Sequence, residues 1–101
     1  MLDENGKFRA TLDMDKAGPS LRLLDENEKS RVGLTATNAG PGLVLNDESG
    51  KVRAGLDMVK DGPRFRLLDE NGKHRVGLAV SKYGPGLVLS DESGKTIWSQ
   101  P

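Results

Sequence analysis

The chain has 101 residues, enough for one domain, and its 15 basic and 15 acidic side chains cancel to a net charge of zero. Nucleic acid and anionic membranes both select a basic face, so neither is the partner this balance favours. There is no cysteine, which removes disulfides, thiolate metal sites and thiol nucleophiles, and no apolar run approaches the ~18 residues of a membrane span.

A 22-residue beat runs through the chain. Asp-Glu recurs at Asp3, Asp25, Asp47, Asp69 and Asp91, and Gly-Pro at Gly18, Gly40, Gly62 and Gly84. The chain reads as one repeat domain of units 3–24, 25–46, 47–68 and 69–90 with a partial unit 91–101. A unit this short cannot bury its own apolar face, so neighbouring units or other chains must cover it. No signal peptide is read in Met1-Leu2-Asp3-Glu4, and the sequence starts inside a repeat.

In chain order, Phe8, Ala10, Leu12 and Met14 alternate with Arg9, Thr11 and Asp13, which predicts a half-buried strand over 7–14. Leu21 and Leu23 mark a strand over 20–25, Leu34 one over 29–36, and Leu43 with Leu45 one over 42–47. Val52, Ala54, Leu56 and Met58 alternate over 51–58, and Phe65 with Leu67 over 64–69. Leu78 falls in 73–80, Leu87 and Leu89 in 86–91, and Trp98 in 95–98. The windows between Gly and Pro are too short for stable helices.

Asn5-Gly6 and Asn71-Gly72 suit two-residue type I′ turns with positive φ at both centres. Such a turn at Asn27-Glu28 places Leu23 opposite Val32 and Leu21 opposite Leu34. An even loop across Gly18-Pro19 is expected to place Leu12 opposite Leu23, Met14 opposite Leu21 and, on the other face, Asp13 opposite Arg22. Both choices keep the apolar residues on one side, which an odd loop would scramble. Gly33, Gly55 and Gly77 then fall on the polar face.

The predicted fold is all-β: a repetitive up-and-down antiparallel meander of about nine short strands. Its apolar face of roughly 900 Å² exceeds what a soluble monomer leaves open. The expectation is a homo-oligomer, a trimeric prism ahead of a dimeric sandwich, with a two-sided β-solenoid and a closed barrel as alternatives. The face would comprise Phe8, Leu12, Leu21, Leu23, Leu34, Leu43, Leu45, Leu56, Phe65, Leu67, Leu78, Leu87, Leu89 and Trp98, with Trp98 plugging the end of the stack.

Chemistry-bearing candidates are few. The Asp-Glu pairs lack the convergent oxygens of a calcium loop, and each is followed by a Lys that competes for it. His74 shares its slot with Phe8, Ser30, Val52 and Thr96, and no Ser or Asp singles itself out as a triad partner. No cofactor, metal or catalytic residue is assigned. Arg9, Arg31, Arg53 and Arg75 form a row near Leu24, Asn46, Leu68 and Ser90; with Tyr83 in a Gly-Pro turn they are the candidates for binding an acidic glycan or a protein. A solvated face is the competing reading. The function expected is a non-enzymatic spacer or surface scaffold; a multivalent binding module and a self-assembling fibre subunit are the alternatives.

One family comparison rests on these residues. Asp69-Glu70-Asn71-Gly72-Lys73-His74-Arg75-Val76-Gly77-Leu78, then Gly84-Pro85-Gly86-Leu87-Val88-Leu89, resembles the tandem repeats of uncharacterised bacterial proteins. Their closing Trp near a terminal Pro is matched by Ile97-Trp98-Ser99-Gln100-Pro101. Such proteins often carry a membrane anchor and coiled coil ahead of the repeats. The resemblance therefore implies an oligomeric domain outside the membrane, and it implies no activity.

Overall fold

The computed structural model describes residues 1–100. Nine strands follow one another: β1 (Ala10–Asp15), β2 (Gly18–Leu24), β3 (Ser30–Thr37), β4 (Gly40–Asn46), β5 (Val52–Val59), β6 (Gly62–Leu68), β7 (His74–Ser81), β8 (Gly84–Ser90) and β9 (Thr96–Gln100). They form one antiparallel sheet in chain order, each strand pairing only with its sequence neighbours. Among the described residues β1 and β9 do not meet, so the sheet is open, and no parallel rungs occur. Both the barrel and the solenoid are thereby set aside.

The expected two-residue type I′ turns are corrected. In the unit at Asp25, the Asp25 N–H donates to Lys29 O at 2.8 Å and the Glu28 N–H to Asp25 O at 2.9 Å, which closes a three-residue loop. Only its last residue is left-handed: Glu28 at φ 63°, and Gly6, Gly50, Gly72 and Gly94 in the equivalent turns, whereas Asn5 and Asn71 are not. This is a type I turn followed by a left-handed residue and a bulge. Leu24 pairs with Ser30 and Leu23 with Val32, so Arg31 is the extra, unpaired residue. The longer loop and the bulge offset one another, leaving Leu23 opposite Val32 and Leu21 opposite Leu34 as expected.

Across the opposite edge the expected register is wrong by two residues. The loops are Lys16-Ala17 and its equivalents, and Gly18-Pro19 begins β2 rather than forming the turn. Asp15 Oδ1 accepts the Ala17 N–H at 2.8 Å, with Thr37 and Ser81 hydroxyls doing the same for Ala39 and Tyr83. In these three hairpins the side-chain cap supports the two-residue reversal; the fourth, Lys60-Asp61 after Val59, makes the same reversal without one. Leu12 consequently faces Leu21, Met14 faces Pro19 and Asp13 faces Ser20. A shift of two preserves side-chain parity, so the apolar face survives the correction.

Register lines that face up as three transverse rows. The middle row runs Leu12, Leu21, Leu34, Leu43, Leu56, Phe65, Leu78, Leu87. On one side lie Ala10, Leu23, Val32, Leu45, Ala54, Leu67, Val76, Leu89 and Trp98. On the other lie Met14, Pro19, Ala36, Pro41, Met58, Pro63, Val80 and Pro85. Phe8 belongs to none of them. It precedes β1 and makes an isolated bridge to Leu2, the counterpart of the Leu24–Ser30 pair one unit on, which lies beyond the bulge and outside the three rows.

The sheet is a single layer measuring 48 × 28 × 18 Å, with a radius of gyration of 15.9 Å against about 13 Å for a compact domain of this length. Among the described residues no hydrophobic side chain is buried, and only Gly33 and Gly55 are inaccessible. The accessible surface is 7317 Å², about 1,700 Å² more than a compact protein of this mass exposes.

Candidate functional site

The repeated Asp-x-x-Gly-Lys-x-Arg motif forms one edge of the sheet, and its side chains bind neighbouring units together. Asp25 Oδ1 accepts the N–H of Asn27 at 2.9 Å and of Lys29 at 3.0 Å, while its Oδ2 lies 3.6 Å from Arg31 Nη1. The bulge that leaves Arg31 unpaired places its Nε 2.9 Å from Asn46 O, to which it donates. Lys29 Nζ donates to Glu48 O in the next turn at 3.2 Å. Each residue of the motif thus has a structural role. The carboxylate caps the turn, glycine supplies the left-handed residue, Arg ties the turn to the last residue of its own unit, and Lys reaches into the following unit.

The pattern repeats along the edge. Lys7, Lys51 and Lys73 donate to the carbonyls of Glu26, Glu70 and Glu92. Arg9, Arg53 and Arg75 donate to those of Leu24, Leu68 and Ser90. Ile97 stands in the Arg slot of the last unit, on β9, which among the described residues pairs with β8 alone. The backbone N–H of the motif Lys, helped by the paired Arg, holds Asp3, Asp25, Asp47 and Asp69 below the usual carboxylate range. At Asp91 the Ser93 hydroxyl has the largest effect, followed by the Lys95 amide.

Tyr83 sits in the Lys82-Tyr83 loop at the opposite edge, 87% exposed, with Lys82 Nζ 5.2 Å from its ring centroid. The structure therefore places the Arg row and Tyr83 on different edges and does not bring them into one site. His74 opens β7 opposite Leu68, on an exposed position. No group of three or more His, Cys, Asp or Glu side chains that could hold a metal occurs among the described residues.

The polar face has one singular spot. Arg64 grips Asp57 with Nε–Oδ1 at 2.7 Å and Nη2–Oδ2 at 3.1 Å, which holds the Asp57 carboxyl below its ordinary range. Arg66 approaches the same carboxylate diagonally at 3.9 Å, as Arg22 approaches Asp13 at 3.6 Å. Gly33 and Gly42 leave a shallow depression of about 300 Å³ beside this cluster. Two cations on one anion, with the Arg66 guanidinium lying over Gly55, describe a sheet-covering ion pair.

The apolar rows are the larger feature. Leu12 is 77% and Met14 74% exposed, and Leu34, Leu45, Leu56 and Leu78 are close to half exposed. Trp98 extends a flanking row at the last strand and is 45% exposed in the single chain. Two features are not legible in the sequence. The Lys row reads there only as a competitor for the acids, because a bond to a distant carbonyl has no local signature. The proline half of the third apolar row is hidden, because these residues follow glycine and so carry the signature of turn residues. No protein-family model matches the chain, and no curated protein matches it either.

Proposed function

We propose that the chain is a non-enzymatic structural module, a β-repeat rod that acts as spacer or surface scaffold and covers its apolar face in a homo-oligomer, with a trimer ahead of a dimer. The observation that carries this is the engagement of the recurring motif. Asp and Arg of each unit are hydrogen-bonded within that unit and Lys to the next one, so what recurs is a joint. A chain of identical joints sets length by copy number, at about 9.6 Å per unit for two strands at the usual spacing. The likeness to bacterial envelope repeats fits a location outside the membrane.

Inserting a second copy of 25–68 is the direct test. Small-angle scattering should show the long dimension grow by about 19 Å with the cross-section unchanged; a compact particle of rounded shape would refute the rod. The binding-module reading is tested on a glycan array, with Arg53→Ala as control. No specific ligand is expected, and a ligand lost in the Arg53→Ala variant would replace the spacer by a receptor.

A further inference from the structure

Resting on the rod reading, we infer that three copies of this chain close into a triangular prism about a three-fold axis parallel to the sheet's long dimension. In it the middle row, Leu34 and Leu56 among its members, points at the axis. The first argument is area. A standard stable interface takes about 800 Å² from each partner, and this sheet exposes about twice that beyond a compact protein of its mass. One chain therefore has surface for two contacts of ordinary size, which is what each side of a prism makes.

The second argument is the profile across a strand. Seven residues span about 23 Å, so in a triangle of that side the centre stands about 7 Å from the axis. The space narrows to about 3 Å one row to either side. A face-to-face sandwich offers instead a uniform half-gap of about 5 Å. The sheet matches the wedge. Every member of the middle row through β8 is Leu or Phe, whereas each of these strands has at least one flank reduced to Ala, Val or Pro. On the even strands one flank is Pro.

The third argument fixes which strands meet. Rotation about the long axis brings each strand's one flank against the other flank of the same strand in the next copy. The sizes at those positions complement one another. Ala10 shares β1 with Met14, Ala54 shares β5 with Met58, Val32 shares β3 with Ala36, and Leu45 shares β4 with Pro41. Among these strands none carries two large flanking residues. Copies packed with their long axes reversed would lose that matching, since β4 would then face β6 and bring Leu45 against Leu67.

The chain has no cysteine, so engineered pairs report contacts cleanly. In the double variant Val32→Cys, Ala36→Cys the two thiols lie on one strand too far apart to bridge within a chain. Oxidation is expected to give a covalent ring of three chains on a non-reducing gel. Native mass spectrometry of the unaltered chain should give three times 10.9 kDa; this second measurement stands even if the variant does not fold. A trimer without the Val32–Ala36 crosslink overturns the strand-to-own-counterpart contact. A dimer by mass overturns the prism and leaves the oligomeric rod in place; a monomer overturns both.

Discussion

Among the described residues Glu28 is the one residue other than glycine with a positive φ, at 63°. The four equivalent turns place Gly6, Gly50, Gly72 and Gly94 there, and a side chain in that conformation costs about 1–2 kcal/mol. Glu28 recovers part of this by accepting the Phe8 N–H on Oε2 at 3.1 Å, an exposed bond. Glu28→Gly is therefore expected to stabilise the fold by about 1 kcal/mol, measured as a higher urea midpoint at unchanged slope. A lower midpoint would mean that the contact to Phe8 outweighs the backbone strain.

The hairpin is the scale at which sequence and structure diverge most usefully. Alternation at Leu21, Leu23, Leu34 and Leu56 is legible, because parity depends only on local chemistry. The register across Lys16-Ala17 is not, since a shift of two residues keeps the same side chains on the same face. What the four hairpins share is the positive-φ glycine that opens the even strand, as at Gly18, to which the Asp15 carboxylate on the Ala17 amide adds in the first. Of the candidate sites, the neighbours of the Arg row are readable from the repeat, but their use as a tie depends on the bulge at Arg31, which repetition alone does not announce. Gly40 and Gly84 separate two reasons for that glycine. Both have positive φ, 112° and 114°, yet a Cβ on Gly40 would stand 2.5 Å from Met58 O whereas one on Gly84 meets nothing within 4 Å. Gly40→Ala should cost at least about 1 kcal/mol more than Gly84→Ala, read from paired thermal melts. Equal losses would show that the next hairpin yields freely.

For the molecule as a whole, the five motif carboxylates act in concert. Asp3, Asp25, Asp47, Asp69 and Asp91 all titrate below the ordinary value, each through donors in its own turn. A carboxylate whose folded pKa is depressed contributes stability that is fully present above the unfolded value of about 3.9 and disappears as pH falls through the lower folded value. Five such turns on one edge should give an acid transition that begins below about pH 4 while the fold holds steady from there to neutrality. Circular dichroism against pH checks this, and a loss of ellipticity between pH 5 and 7 would contradict it.

Because every strand touches only its two chain neighbours, a force applied at the two ends of the ribbon runs across the ladder. Backbone bonds in that geometry open a few at a time, like a zip. Under tension the chain would lengthen gradually, hairpin after hairpin, at modest load. Lengthening the array would add reach without adding breaking strength.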